Sequence, residues 1–212
     1  MAYLGTGDLA SARRVVAEAE RNVEPTALVQ WVATYYDLYW VLSDEQQRLL
    51  LRLPPGPFDD DRLTWGLALA ETYALRGDTA RTHAYADSAS IAGEAYLREA
   101  PENAQLHVLM GTVLAYLGRK ADAIREGRRG VELMPLSRNA YQSPYLQHQL
   151  ARIYLLVGEP EQALDVLETL MRIPYFLSPG WLRVDPTFDP LRGNPRFKKL
   201  LAAPAAAPDA ST

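Results

Sequence analysis

The chain is punctuated at nearly regular intervals, and this constrains its fold more than any other feature. Short breaks fall at Gly7-Asp8, Ser43-Asp44, Gly77-Asp78, Gly118-Arg119 and Gly158-Glu159, separated by 36, 34, 41 and 40 residues. Four residues before the breaks stand Tyr3, Tyr39, Tyr73, Leu114 and Tyr154. Five residues after them Ala12, Ala123 and Ala163 recur, with Arg48 and Thr82 as exceptions. A bulky residue near the end of one helix and a small one near the start of the next let two antiparallel helices approach closely, and a glycine between them ends the first in a left-handed conformation. A repeat of this length is a supersecondary unit that buries its apolar face only by stacking on its neighbours.

The periodicity between breaks agrees. Leu63–Arg76, Gln105–Leu117 and Tyr145–Val157 carry apolar residues at three- and four-residue spacing, which predicts helices. Second helices are predicted at Leu9–Asn22, Asp44–Leu53, Thr79–Glu99, Lys120–Leu133 and Pro160–Arg172. Ser43 with Gln46 reads as a capping box, and Pro160 suits a first helical turn. Pro25, Pro54-Pro55, Pro101, Pro135 and Pro174 stand where helices stop. No segment alternates long enough to predict a sheet.

These residues resemble the tetratricopeptide pattern W-x2-L-G-x2-Y…A-x3-F…P. Glu102–Pro135 is similar to a complete copy: His107-x2-Met110-Gly111-x2-Leu114, then Gly118, Ala123 and Pro135. Pro144–Pro174 follows with Gln147-x2-Leu150-Ala151-x2-Tyr154, Gly158, Ala163 and Leu167, and Leu63–Ala89 with Leu69-Ala70-x2-Tyr73 and Gly77. Thr26–Leu53 keeps only Tyr39 and the Ser43 break. Gly127 and Gly130 depart from the pattern, which wants an aromatic and an alanine there, and leave that second helix thin, either closely packed or weak. The resemblance implies an all-α fold: a right-handed α-solenoid of antiparallel helix pairs over residues 1–173, its first repeat truncated because only a stub of helix precedes Gly7. The chain then reads as the C-terminal part of a longer protein.

A Pro-rich capping segment with a short helix is expected over 174–201, and a disordered Ala/Pro-rich tail over 202–212. The short helix starts at Asn194 as cap with Pro195 in its first turn. Ser178-Pro179, Asp185-Pro186, Asp189-Pro190-Leu191-Arg192 and Asn194-Pro195-Arg196-Phe197 resemble the ending of repeat regions in bacterial signalling proteins. Among these are eukaryotic-like serine/threonine kinases and regulators with a TolB-like or DNA-binding N-terminal domain. That resemblance implies an interaction or sensory module of a cytoplasmic protein whose parent can be membrane-anchored.

Composition narrows the chemistry. The chain has no cysteine, so disulfides, thiolate metal sites and cysteine nucleophiles are excluded. A net charge of −4 makes nucleic acid a poor partner. No apolar run is long enough for membrane insertion, and Met1–Gly5 has no signal-peptide character. The three histidines, His83, His107 and His148, form no metal-ligand spacing; His107 is expected to be packed and His83 exposed. No nucleotide fingerprint or nucleophile elbow occurs, and Gly5-Thr6-Gly7-Asp8 reads as a helix-to-helix turn rather than a phosphate loop. Asp59-Asp60-Asp61 fits a helix N-terminus better than a cation site. Arg119, Lys120, Arg125, Arg128 and Arg129 predict a solvated basic face, with an acidic-partner patch as the alternative. The aromatics Tyr35, Tyr36, Tyr39, Trp40, Trp65, Tyr116 and Tyr145 are expected mostly in core and inter-repeat packing.

The expectation is therefore a non-catalytic module with no cofactor and no metal, holding a protein or peptide. In such stacks the first helix of each pair lines the concave side. The groove positions implied by the resemblance are Thr64, Leu67, Glu71 and Leu75; Gln105, Val108, Thr112 and Tyr116; Tyr145, His148, Arg152 and Leu156. The Lys and Asn of chaperone-carboxylate clamps are missing from them. The alternative is a groove filled by the chain's own C-terminal segment or simply left open. The alternatives in function are self-association into a homodimer through the truncated N-terminal face, and, further off, a small-molecule sensor using Glu71, His148 and Arg152 or an unrecognised enzyme.

Overall fold

The computed structural model describes residues 1–202, and the tail expected to be disordered lies, beyond Ala202, outside them. Among the described residues the fold is all-α, without strands. Twelve α-helices follow in order: α1 Ala2–Thr6, α2 Leu9–Ala19, α3 Pro25–Thr34, α4 Asp44–Leu50, α5 Arg62–Leu75, α6 Thr79–Glu99, α7 Ala104–Tyr116, α8 Lys120–Leu133, α9 Ser143–Leu156, α10 Pro160–Leu170, α11 Pro179–Val184 and α12 Pro195–Ala202. Short 3₁₀ turns lie at Leu38–Val41, Gly56–Phe58 and Pro186–Leu191.

The helix ends are set by local chemistry. Asp8, Asp61, Asp78 and Asn103 accept backbone N–H groups at the starts of α2, α5, α6 and α7, and Ser43 with Gln46 forms a reciprocal capping box at α4. Asp61 therefore caps a helix, and Asp59 and Asp60 turn the chain into it with φ of 55° and 59°. At the expected breaks Gly7, Gly77, Gly118 and Gly158 take φ between 72° and 83°, the left-handed ending that a side chain resists.

The pairs α5–α6, α7–α8 and α9–α10 stack side by side, with α7 between α6 and α9. Gly127 and Gly130 answer the open question about α8. A Cβ at Gly127 would meet Ile153 Cδ1 at 2.8 Å, and one at Gly130 would meet the Ala104 carbonyl at 2.6 Å. Their smallness lets α8 press against α7 and α9, so the helix is closely packed.

Three departures reshape the concave side. The degenerate region forms α3, then a tight loop in which Tyr36 and Asp37 are both left-handed (φ 50° and 57°), then the buried 3₁₀ turn Leu38–Val41. The C-terminal segment does more than cover the last pair. It carries α11 back against α1, where Ser178 Oγ donates to the Gly5 carbonyl at 2.6 Å, and its 3₁₀ turn packs on α9. Helix α12 is held to α10 by Arg196, whose guanidinium meets Glu168, Glu161 and Asp165 at 3.0, 2.8 and 2.7 Å. Finally, α1 is covered by the chain itself: the backbones of Gly7 and Gly180 touch, and a Cβ at Gly180 would sit 2.3 Å from the Gly5 carbonyl. Leu4, Trp40, Trp181, Phe188 and Phe197 belong to one core shared by both ends of the chain.

Candidate functional site

The expected groove residues divide into two sets. Leu67, Glu71, Val108, Thr112, His148 and Arg152 are buried, so they face the interior rather than solvent. Thr64, Tyr116 and Tyr145 are half-buried, and Gln105, Leu75 and Leu156 are exposed. The physical reason is occupation of the concave side by the loop around Asp37 and by the C-terminal segment.

Arg152 organises the buried set. Its guanidinium lies 2.5 Å from Asp37 Oδ2 and 2.7 Å from Glu71 Oε1, so one cation joins the α3 loop, α5 and α9. Gln149 also donates to Asp37, and the Tyr39 hydroxyl lies 3.4 Å from Arg152. Burial works against the Arg152 charge, but the two carboxylates outweigh it and hold the guanidinium protonated. Burial drives Glu71 the other way, up to about 8, with Asp37 adding repulsion and Arg152 only partly opposing. Burial likewise raises Asp185, which accepts the Trp181 indole N–H at 3.1 Å and caps the last 3₁₀ turn.

His148 is sealed in an aromatic box. Its ring stacks on Phe188 at 6.1 Å and meets Phe176 edge-on at 5.8 Å, and Nδ1 lies 3.3 Å from the Tyr175 hydroxyl. Nε2 has no partner. Burial, then the Arg152 charge, depresses its pKa to about 3, so the ring is neutral. His107 is also packed, Nδ1 2.7 Å from Glu126 and Nε2 2.9 Å from the Pro101 carbonyl.

Four of the five basic residues on and just before α8 are paired with carboxylates within the fold. Arg119 and Arg125 meet Asp122, Lys120 meets Glu159 and Arg129 meets Glu102, at 2.5 to 2.8 Å. Arg128 Nε donates to the Tyr154 hydroxyl at 2.9 Å. This is a solvated, self-paired face, and nothing about it singles out an acidic partner.

What stays open is a cleft of about 580 Å³ at one end of the concave side, between the α3 loop, the start of α7 and the approach to α9. Tyr35, Tyr36, Gln105, Tyr141, Gln142 and Tyr145 line it. Tyr36 crosses Tyr35, Tyr145 and Phe176 edge-to-face at 4.7, 5.7 and 4.7 Å, and Tyr35 stacks on Trp31 at 4.5 Å. Tyr141 is 85% exposed and Trp31 55%, large values for such side chains. Of the expected site residues, Gln105 and Tyr145 meet here, while Thr64 lies in a smaller neighbouring hollow and Tyr116 at the opposite end beside Leu75, Leu156 and Pro186. Tyr35, Tyr36, Tyr141 and Gln142 did not stand out as site residues. The signal was the density of aromatics over 31–40, where Tyr39 and Trp40 do go to the core but Trp31 and Tyr35 do not.

No curated protein matches the chain. A solved structure of MamA 41-end from Desulfovibrio magneticus RS-1 is similar at 16% identity, covering 79% of this chain and 96% of that one, with a TM-score of 0.38. The family model for the tetratricopeptide repeat matches residues 144–169, which marks the pair α9–α10 as such a repeat within the stack.

Proposed function

We propose that the chain is a non-catalytic protein- or peptide-binding module, and that its binding surface is the tyrosine-lined cleft. One observation carries this reading: with most of the concave side filled by the chain itself, the accessible part concentrates exposed aromatic rings and amides around a cavity of about 580 Å³. Rings of this kind offer large contact area at little entropic cost and are over-represented where proteins meet. The wider setting, an interaction or sensory part of a larger bacterial signalling protein in the cytoplasm, rests on the resemblance of Ser178–Phe197 to such endings. Self-association is the second reading, and Met1, Tyr3 and Val15 favour it, since these apolar side chains at the start of α1 and on α1 and α2 are 40% to 50% exposed.

A photo-reactive residue at Gln105, compared with one at Ile91 outside the cleft, tests the main reading. The expected result is a discrete set of proteins crosslinked from position 105 and not from 91. Equal or absent capture at the two positions counts against the cleft. Light scattering across concentrations tests self-association, which a strict monomer rules out.

A further inference from the structure

A second hollow, sharing no residue with the tyrosine-lined cleft, is defined by charge. It holds about 310 Å³, and Arg48, Arg52, Arg76 and Arg81 line it together with Tyr73 and Asp78. The arginines come from three elements. Arg48 and Arg52 stand one turn apart on α4 and just beyond it, Arg76 follows the last residue of α5, and Arg81 lies in the first turn of α6. No basic run in the sequence announces this cluster. The fold assembles it, through the contacts of Arg76 with Asp44 and Gln47 on α4.

The charges at the hollow do not cancel. Asp44 serves both Arg48 and Arg76, the latter at 2.5 Å. Asp78 lies 3.3 Å from Arg81, longer than a strong charge-assisted contact, while its other oxygen caps α6. Among the described residues Arg52 meets no carboxylate, and its Nε donates to the Arg48 carbonyl at 3.0 Å. Four guanidiniums thus face two carboxylates, which leaves two positive charges unmatched in a chain of net charge −4. The basic face of α8 differs, because Asp122, Glu126, Glu159 and Glu102 meet its cations there.

The donors also have a definite arrangement. Arg48 and Arg76 already hold one carboxylate from two sides, so their N–H groups converge on anionic oxygen. Arg76 is steadied by Gln47 Oε1 at 3.1 Å, and Arg81 by the Tyr73 ring, with Cζ 5.4 Å from its centroid. A carboxylate ligand would bring one charge and two oxygens in a plane. A phosphate monoester brings a charge of about −1.5 to −2 and three acceptor oxygens, which matches both the surplus charge and donors arriving from several directions. We propose that the arginine hollow is a binding site for a phosphate monoester. Arg52 and the loosely paired Arg81 supply the charge, and Arg48 and Arg76 the aligned donors.

Titration of the isotope-labelled full chain, followed by NMR of arginine Nε–H and backbone amide signals, tests this at an ionic strength held constant with NaCl. The probes are inorganic phosphate, a short Gly/Ser peptide carrying one phosphoserine, and the same peptide with glutamate in its place. Saturable shifts at the four arginines and in the first turn of α6 are expected with the phosphate probes. Arg52→Gln and Arg81→Gln should each weaken binding about fivefold or more, the loss of one charge-assisted contact at a solvent-screened site. Arg125→Gln on α8 should leave it unchanged. Both cluster positions are exposed, and melts of the variants should stay close to the parent. Tighter binding of the phosphopeptide than of inorganic phosphate identifies a protein-borne phosphate, and equal binding a free one; either supports the site. No saturable shift at constant ionic strength overturns the proposal. So does an affinity unchanged in both cluster variants. Glutamate peptide binding as tightly as phosphopeptide overturns it too, and shows a patch for acidic chains in general.

Discussion

Glu71 and His148 lie in the same interior and push stability in opposite directions with pH. Glu71 is raised from 4.5 to about 8, so the folded chain holds a proton that the unfolded chain releases. Its contribution is complete below pH 4.5 and is lost as pH rises toward 8. His148 is lowered from 6.5 to about 3, so the unfolded chain takes up a proton that the folded chain refuses. Its contribution is complete above pH 6.5 and is lost as pH falls toward 3. Stability should therefore peak at roughly pH 5 to 6.5, and each group should contribute a slope of up to about 1.4 kcal/mol per pH unit on its own limb. Asp185, also raised, adds to the loss with rising pH. Thermal melts across roughly pH 3 to 9 span both limbs and check this. Glu71→Gln keeps the shape and the hydrogen bond to Arg152, so it should leave stability at neutral pH within about 1 kcal/mol and flatten the alkaline limb. An unchanged alkaline limb in that variant would show that Glu71 is ionised in the fold. Arg152 is the contrasting case. Its removal leaves Asp37 and Glu71 buried face to face, and Arg152→Gln should cost about 3–5 kcal/mol in denaturant titration. A substitution there reports on folding, not on partner contact.

At the scale of elements, two of the joints that hold the C-terminal segment to the rest differ in kind. The tight one is steric. Gly180 on α11 leaves no room for a Cβ against α1, so Gly180→Ala should force the helices apart and cost about 1–3 kcal/mol, with faster amide exchange in Ala2–Thr6 than in α7. The looser joint is ionic. Arg196 gathers three carboxylates from α10, but these groups are 33% to 69% exposed and screened by solvent. Arg196→Ala should lower the melting temperature only slightly, and the difference from the parent should shrink when melts are repeated at about 1 M salt. Both joints pair segments far apart in the chain. The same is true of the loop at Tyr36-Asp37, whose position depends on an arginine more than a hundred residues further on.

At the scale of the whole molecule, the core cluster that joins Leu4 to Phe197 predicts that the two ends of the chain do not unfold separately from one another. Trp181→Ala removes a side chain that is 1% exposed and should cost about 3–5 kcal/mol while preserving a single transition by both far-UV and near-UV signals. Two resolved transitions would mean that the repeats are stable without their C-terminal cover.

Much of this architecture was legible in the chain because it is encoded locally. Glycines at the breaks, capping Asp, Asn and Ser residues, and three- to four-residue apolar spacing act within one or two turns, and α5 to α10 fall within one or two residues of their expected bounds. The site was legible only in part. Reading the concave side from helix positions assumes that nothing else occupies it, and sequence spacing carries no information about what does. Whether Glu71, His148 and Arg152 face a partner or the interior was decided by segments distant in sequence, the Asp37 loop and residues 175–188, folding back over them. The helical stack thus follows from short-range capping and periodicity, whereas the cleft follows from long-range packing, because only the folded chain determines which aromatic rings are spent on the core and which are left exposed to solvent.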